Sequence, residues 1–229
     1  MAKKVIKRML QLGGIEVSRH NPVTSEYRKL FNKYRDYTMI PEGEFIVNLD
    51  LVHKFLNIKG DIVECGVWKG GMTAAIAELS NEQKMVHLFD SFEGLPPAKE
   101  IDGEAALAWQ SNTTAPNYYD NCTADESFAI AAMNLAGHKR YKIYKGWFQE
   151  TLPKYDGPIS ILRLDGDWYD SIKICLDILF PKVTVGGIVI IDDYYTWDGC
   201  SRAVHDYLSQ NQLASRIYQW KGRVAYIIK

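Results

Sequence analysis

Short apolar runs alternate with amphipathic segments along most of the chain beyond residue 50. A short apolar run bounded by turn residues is typical of a buried strand, and apolar positions three or four apart are typical of a helix. Lys221 and Gly222 join the last two apolar runs and indicate a tight hairpin. The predicted strands span 60–67, 84–90, 141–146, 158–165, 186–192, 215–220 and 223–229, and the predicted helices span 70–80, 124–137, 169–180 and 200–210.

Repeated β-α steps that end in a hairpin predict an α/β fold. We expect an open, mostly parallel sheet with an antiparallel C-terminal edge and helices on both faces. A chain of 229 residues fits one such domain, 1–229. Ligands of these sheets bind beyond the carboxyl ends of the parallel strands, so functional residues are expected there.

Residues 91–122 interrupt the alternation with prolines, glycines and the run APNYYDN. A connection this long inside an α/β unit is usually functional, so we expect a lid-like insertion. Trp109, Tyr118 and Tyr119 offer faces on which a bound ring can stack. The alternative is a fixed loop packed on the core.

Residues 1–50 form a predicted helical N-terminal segment. Its first fourteen residues are basic and mildly amphipathic, and Gly13 and Gly14 end the predicted helix. The apolar stretch is too interrupted for a signal peptide. We expect this helix to dock on the domain or on a second copy of the chain, which would make a homo-oligomer; association with a membrane surface is the alternative.

Composition and charge exclude several classes of function. The formal net charge is −1, so no overall electrostatic argument favours a nucleic-acid partner. No run approaches the roughly 18 apolar residues that a membrane-spanning helix needs. The four cysteines form no CxxC pair, which is typical of reduced thiols. We therefore expect a cytoplasmic protein without stable membrane insertion.

The first predicted strand ends in an acid followed by a glycine-rich turn. Glu64 precedes Gly66, Gly70 and Gly71 in the run ECGVWKGG. Glycines let the backbone approach a ligand and leave the first N–H groups of the helix free. The dinucleotide fingerprint GxGxxG is missing. An acid before the loop fits a cofactor with an ammonium group, such as S-adenosylmethionine; a purely structural turn is the alternative.

Asp90 ends the second predicted strand. A carboxylate there can accept both ribose hydroxyls of an adenosine cofactor. The alternative is a turn cap formed together with Ser91. Glu64 and Asp90 together indicate an adenosine-containing ligand. The missing pyrophosphate loop favours the methyl donor over a nicotinamide cofactor, the ligand of an oxidoreductase.

Acids also follow two later strands. Asp165 follows the run ILRL, and Asp192 and Asp193 follow the run GGIVII. Oxygen ligands suit Mg²⁺, Mn²⁺ or Ca²⁺, and such a cation would lower the pKa of a bound hydroxyl and orient it. Adjacent residues of a regular strand face opposite ways, so Asp192 and Asp193 can share one ion only if the strand has ended.

Helix capping is the alternative role for acids in this region. We expect Asp167 or Asp170 to cap or pair within the helix that begins near Trp168. Asp165 is the first candidate for the catalytic group that accepts a proton from the acceptor. His205 and a metal-bound hydroxide are the alternatives.

Seven runs of the sequence resemble the macrocin O-methyltransferase (TylF-type) family of class I methyltransferases, which act on sugars of macrolides and other natural products. The resemblance covers most of the chain from about residue 37 and implies a Rossmann-like class I methyltransferase fold with S-adenosylmethionine as donor. The runs are TMI (38–40), GDIVECGVWKGGM (60–72), LFDSFEGLP (88–96), KGWFQETLP (145–153), LRLDGDWYDS (162–171), LFPKVTVGGIVIIDDY (179–194) and GCSRAVHDYL (199–208).

The resemblance also implies roles for individual residues. Asp165, Asp192 and Asp193 would bind the divalent cation. Other positions would surround the donor, in order from its methionine end through the ribose to the adenine and then the N-terminal segment: Glu64 and Gly66; Asp90 and Ser91; Gly146, Trp147 and Phe148; Thr38 and Met39.

The implied function is methyl transfer from S-adenosylmethionine, dependent on a divalent cation, to a hydroxyl of a sugar moiety in a glycosylated natural product or glycan. Two alternatives are a methyltransferase for an aromatic or other small-molecule hydroxyl, and a non-catalytic protein that binds an adenosine ligand.

Overall fold

The structure, a computed structural model, describes residues 22–229. The helix predicted within the first fourteen residues lies outside the described residues. The strands are β1 (Asp61–Cys65), β2 (Val86–Asp90), β3 (Tyr141–Lys145), β4 (Ile159–Leu164), β5 (Val183–Ile191), β6 (Ile217–Trp220) and β7 (Val224–Ile228). They form one sheet in the order β3-β2-β1-β4-β5-β7-β6.

Helices pack on both faces of this sheet, as predicted. They are α1 (Pro22–Tyr34), α2 (Glu42–Phe55), α3 (Gly71–Leu79), α4 (Glu104–Ser111), α5 (Tyr119–Cys122), α6 (Glu126–Ala136), α7 (Phe148–Thr151), α8 (Tyr169–Leu179) and α9 (Asp198–Gln210). Short 3₁₀ turns add Arg35–Tyr37, Glu100–Asp102, Leu152–Lys154 and Phe180–Lys182. Within residues 22–229 we find no helix that is both long and apolar enough to cross a membrane.

The sheet is parallel from β3 to β5 and antiparallel at its C-terminal edge. β1 lies between β2 and β4, and β7 runs antiparallel to both β5 and β6. This confirms the predicted open sheet with an edge hairpin. Leu164 pairs with Cys65 on one side and with Ile191 on the other, so β1, β4 and β5 end level with one another. The acids that follow these strands are therefore brought to one edge.

The core consists of two apolar layers separated by the sheet. Successive residues of a strand face opposite sides, so Ile62 packs beneath α1, α2, α3 and α6, whereas Val63 packs beneath α8 and α9. Nearly every residue of β1, β4 and the second half of β5 is buried. Burial of both faces explains why these strands appear in the sequence as continuous apolar runs rather than as alternating ones.

The insertion 91–122 is more structured than the sequence indicated, since it contains α4. Asp102 is buried and accepts hydrogen bonds from the backbone N–H of Lys99 and of Tyr169, both at 2.7 Å. The indole of Trp168 donates to the Pro96 carbonyl at 2.9 Å. In this conformation the insertion is therefore fastened to the start of α8.

Candidate active site

A cavity of about 1430 Å³ opens beyond the carboxyl ends of β1, β2, β4 and β5. This is the edge at which open α/β sheets bind ligands. Apart from Gly146, the residues predicted to surround the donor all line it: Thr38, Met39, Glu64, Gly66, Asp90, Ser91, Trp147 and Phe148. The same cavity is lined by Asp165, Asp167, Asp192 and Asp193. The structure thus joins the two predicted halves of the site.

The turn between β1 and α3 lies directly against the end of β4. Gly66 has a left-handed backbone, and a Cβ atom there would lie 1.7 Å from the carbonyl oxygen of Asp165. Only glycine tolerates this approach. A Cβ on Gly71 would meet the carbonyl of Tyr37 at 2.6 Å, although Gly71 itself has an ordinary φ. Close packing here brings Thr38 and Met39 over the start of α3.

Asp90 fastens this turn from the neighbouring strand. Its Oδ2 accepts from the N–H groups of Val67 and Trp68 at 2.7 and 2.8 Å, and its Oδ1 accepts from Phe92 at 2.7 Å. Burial raises the pKa of Asp90, and the three backbone hydrogen bonds oppose that rise. Ser91 forms a local turn, donating to the Gly94 carbonyl. The capping role that we weighed for Asp90 is therefore present, and the ribose contact stays a prediction.

Glu64 is buried at the inner wall of the cavity. Its Oε2 accepts from the hydroxyl of Thr73 and its Oε1 from Nη1 of Arg163, both at 2.5 Å. Burial raises the pKa of Glu64 to about 7, although Arg163 and Thr73 both favour the ionised form. In its ionised form, this carboxylate offers a fixed negative charge to a cationic ligand group.

Three carboxylates crowd together beside Glu64. The ligand oxygens of Asp165, Asp167 and Asp193 all lie within 4.8 Å of one another. Burial, reinforced by the charge of Asp165, raises the pKa of Asp167 to about 7. Burial also raises the pKa of Asp193, with Asp167 the next largest cause. Because like charges repel at this distance, the cluster is unfavourable without a positive partner.

Asp192 was predicted to bind the cation together with Asp165 and Asp193. In the structure it contacts Arg163 and Asn48 instead of lying within the acid cluster. Its Oδ1 lies 2.6 Å from Nη2 of Arg163 and 3.4 Å from Nδ2 of Asn48. The chain is still hydrogen-bonded to β4 at Asp192, whose N–H donates to the carbonyl of Leu164. Asp192 therefore continues the strand and faces Arg163, whereas Asp193 follows the end of β5 and faces the cluster.

We expected Asp167 or Asp170 to cap or pair within the helix that begins near Trp168, and the structure shows neither of them doing so. Asp102 supplies the cap of α8 through the N–H of Tyr169, and Asp170 pairs with Lys99 at 2.5 Å. Asp167 instead has a left-handed backbone and accepts a hydrogen bond from the Trp197 indole at 2.8 Å. Strained non-glycine residues concentrate at functional sites. The repeat of acids at 165 and 167 across Gly166 was the available signal.

Arg163 is the second residue that the sequence reasoning missed. It is fully buried, and Nη1 donates to Glu64 and, at 2.8 Å, to Oδ2 of Asp165. A charged residue inside the apolar run ILRL was the signal, because a buried charge needs partners. The surrounding acids at the strand ends are those partners.

Other predicted contacts are not brought to the cavity. Trp109, Tyr118 and Tyr119 do not line it. Trp109 packs against Trp168 and Trp197 instead, with ring centroids 6.1 and 6.0 Å away. Their role as stacking faces for a bound ring therefore stays a prediction about the ligand-bound form. His205 is exposed, lies outside the cavity lining and faces the hydroxyl of Tyr194 at 2.9 Å, so it is out of place as a base.

The acid cluster fits a hard divalent cation. Its donors are all carboxylate oxygens, which suit Mg²⁺, Mn²⁺ or Ca²⁺ rather than zinc. Oδ2 of Asp193 is buried and has no hydrogen-bond partner among the described residues. A buried polar atom without a partner needs an explanation, and an ion is one of the ordinary ones.

The Macrocin-O-methyltransferase (TylF) family profile matches residues 35–228. The 8-demethyl-8-(2,3-dimethoxy-alpha-L-rhamnosyl)-tetracenomycin-C 4'-O-methyltransferase of Streptomyces olivaceus is 33% identical over a 174-residue alignment that covers 72% of this chain and 64% of that protein. Demethyldecarbamoylnovobiocin O-methyltransferase of Streptomyces niveus is 32% identical over a 178-residue alignment that covers 70% of this chain and 63% of that protein. The matched regions span less than two thirds of these relatives.

Solved structures show the same fold. The O-methyltransferase NovP is 28% identical, with a TM-score of 0.66 over 88% of each chain. The calicheamicin methyltransferase CalS11 is 23% identical, with a TM-score of 0.60 over 92% of this chain and 94% of that one.

Proposed function

Because the chain belongs to the macrocin O-methyltransferase (TylF) family and has the fold of the class I methyltransferases, we propose that it is an O-methyltransferase. It transfers the methyl group of S-adenosylmethionine to a hydroxyl on the sugar moiety of a glycosylated small molecule, with the help of a divalent cation. Two relatives are named for methyl transfer to a rhamnosyl-tetracenomycin and to mycinamicin III. The proposed place of action is the cytoplasm.

The observation that carries this proposal is the shared cavity. The glycine turn, Glu64 and Asp90 line the same space as the acid cluster. A methyl transfer requires the donor and the acceptor oxygen to be held in line and close together, and one cavity lined by both sets of residues meets that requirement.

The donor is proposed to lie along the carboxyl ends of β1 and β2. The carboxylate of Glu64 attracts its ammonium group, and Asp90 accepts from the ribose hydroxyls while it holds the glycine turn. Trp147 and Phe148 line the cavity just after β3, where they can cover the adenine with apolar surface. Thr38 and Met39 close the donor from the N-terminal side.

The cation is proposed to be held by Asp165, Asp192 and Asp193, the set expected from the sequence. Among residues 22–229, Oδ2 of Asp193 has no hydrogen-bond partner, and the contacts of Asp192 with Arg163 and Asn48 use its Oδ1. When bound, the cation makes the acceptor hydroxyl more acidic and fixes its orientation. The clustering of Asp167 with Asp165 and Asp193 offers a competing third ligand, which the variants described below separate.

Asp167 is proposed to take the proton of the acceptor hydroxyl on Oδ2. The Trp197 indole occupies Oδ1 and fixes the carboxylate in the cluster. Asp165 was the first candidate for the base from the sequence, but its Oδ2 already accepts a hydrogen bond from Arg163. Asp167 is therefore better placed as the base, and Asp165 is kept as a cation ligand.

Two measurements test this function. Calorimetry should show binding of S-adenosylhomocysteine, the demethylated donor, and a panel of glycosides with labelled donor should show methyl transfer to a sugar hydroxyl. Asp165→Asn should abolish transfer, whereas the control Asp177→Asn, on the exposed side of α8, should not. Binding of NADH without S-adenosylhomocysteine would refute the proposal. Binding of S-adenosylhomocysteine with no transfer to any acceptor would favour the non-catalytic alternative.

A further inference from the structure

We infer that Arg163 is a positioning residue that orients the carboxylates of both halves of the site, Glu64 at the donor end and Asp165 and Asp192 at the cation end. The inference rests on the proposed function, because it uses the proposed roles of these three acids. Arg163 would thereby connect the donor end to the cation end, which neither end requires for its own binding.

The sheet register explains why these side chains meet. Arg163 pairs with Glu64 across the β1–β4 ladder and with Ile190 across the β4–β5 ladder. Paired residues project from the same face of a sheet, and so does a residue two positions further along a strand. Asp165 is two positions after Arg163, and Asp192 is two positions after Ile190. Three strands therefore direct one carboxylate each towards the same guanidinium.

The contacts of Arg163 use its planar fork. Nη1 donates to Glu64 at 2.5 Å and to Asp165 at 2.8 Å, and Nη2 lies 2.6 Å from Oδ1 of Asp192. The last pair is close but poorly aligned, since Nη2 has no hydrogen bond of good geometry among the described residues. A lysine carries the same charge at a single nitrogen, so it lacks the planar fork that directs donors from separate nitrogens towards these carboxylates.

Incomplete satisfaction of this cluster favours a functional role over a purely structural one. Nε of Arg163 and Oδ1 of Asn48 are both buried without a hydrogen-bond partner among residues 22–229. A cluster arranged for stability alone would satisfy such atoms, because each unpaired buried group costs free energy. The side chains of a binding site are held in place by the hydrogen bonds of neighbouring residues, and Arg163 supplies such bonds here.

Three variants test the inference by their pattern of effects. Arg163→Lys keeps the charge but loses the fork, so the dissociation constants of both S-adenosylhomocysteine and Mn²⁺ should rise at least about tenfold. Thr73→Val removes a hydrogen bond from Glu64 alone and should weaken only S-adenosylhomocysteine. Asn48→Ala removes a contact from Asp192 but from neither Glu64 nor Asp165, besides a hydrogen bond to the carbonyl of Glu44, and should weaken only Mn²⁺. Calorimetry reports the first ligand, and electron paramagnetic resonance of free Mn²⁺ reports the second.

Folded Arg163→Lys that keeps either affinity within about twofold of the wild type would overturn the inference. If that variant does not fold, Glu64→Gln decides. Its amide releases Arg163 towards Asp165 and Asp192, so Mn²⁺ should bind several-fold more weakly although Glu64 is outside the acid cluster. Unchanged Mn²⁺ affinity in Glu64→Gln would then contradict the inference. A wild-type protein that binds neither ligand would instead refute the proposed function.

Discussion

Polar clusters lie at both ends of the central strands, and they are built differently. At the amino end, Asp61 accepts from Tyr155 and faces His87 at 3.1 Å. Lys84 donates to the carbonyls of Ile58 and Gly60 and to the hydroxyl of Ser160. Each of these side chains has a hydrogen-bonding partner. At the carboxyl end, several acids share one arginine.

We interpret the cluster at the amino end as one that holds the fold together and the cluster at the carboxyl end as the proposed ligand site. Buried polar groups stabilise a fold when each has a partner, and they cost stability when like charges crowd together. Asp167 and Asp193 have raised pKa values because they are buried beside other acids. Removal of an acid should therefore have opposite consequences at the two ends, which the following variants test.

Asp193→Asn should cut turnover by about 10³-fold, the scale of losing a preorganised charged group. The affinity for S-adenosylhomocysteine should change little. Because the variant removes a like charge, its free energy of unfolding should not fall. Steady-state kinetics and thermal unfolding measure the two effects, and a large loss of stability with intact turnover would assign Asp193 to the fold.

Asp167→Asn and Asp192→Asn should separate the base from the third cation ligand. Asp167→Asn should cut turnover by about 10²- to 10⁴-fold, the usual contribution of a general base. Its Mn²⁺ affinity should stay near that of the wild type, whereas Asp192→Asn should lose it. The reverse pattern of Mn²⁺ affinities would make Asp167 the ligand and leave the base unassigned.

Asp61→Asn at the amino end should act on stability instead. The loss of a partner for buried His87 and Tyr155 should lower the free energy of unfolding by about 1–3 kcal/mol. Turnover of the folded enzyme should be unchanged, because Asp61 is outside the cavity lining. Chemical denaturation and steady-state kinetics test this, and a loss of turnover at full stability would contradict the contrast between the two ends.

Asp90→Ala should weaken S-adenosylhomocysteine binding by about 1–3 kcal/mol through loss of a charged hydrogen-bonding partner. Part of this effect comes from the glycine turn, which loses the acceptor for the N–H groups of Val67 and Trp68. Mn²⁺ affinity serves as the control and should be retained. Calorimetric binding equal to that of the wild type would remove Asp90 from the donor site.

His87 should produce the smallest effect, a loss of stability on acidification. Burial lowers the pKa of His87, so the unfolded chain binds a proton more readily than the folded one. The contribution of His87 to the free energy of unfolding is present above the ordinary histidine pKa of about 6.5 and falls as the pH drops below that value. His87→Gln should flatten this part of the stability–pH curve, and an identical curve would show that another group is responsible.

Sequence patterns predicted the sheet and the long helices well because each of these elements had its own local signal. Apolar runs marked the strands, and glycine or acid residues marked their carboxyl ends. The predicted strand 186–192 begins earlier in the structure, at Val183, because an irregularity at Gly186 interrupts its pattern. Helix α4 inside 91–122 was missed, since few of its residues are buried and its apolar pattern is correspondingly weak.

The site was predictable only in part, because its remaining features depend on relations between strands. Arg163 meets Glu64 and Asp192 through the register of three strands, which no local pattern reveals. Asp167 faces the acid cluster because its backbone is left-handed. The sequence shows neither the contacts of Arg163 across the strands nor the orientation of Asp167. The acids were therefore predicted from the sequence, and their partners were not.

Turnover in the presence of a chelator tests the central claim most directly. Methyl transfer from labelled S-adenosylmethionine to a glycoside acceptor is measured in excess chelator and again after Mg²⁺ or Mn²⁺ is restored. The donor pocket and the acid cluster are proposed to act as one site, so activity should disappear in chelator and return with the cation, while S-adenosylhomocysteine still binds. Full activity in chelator would contradict the account and leave the acid cluster without a role in catalysis.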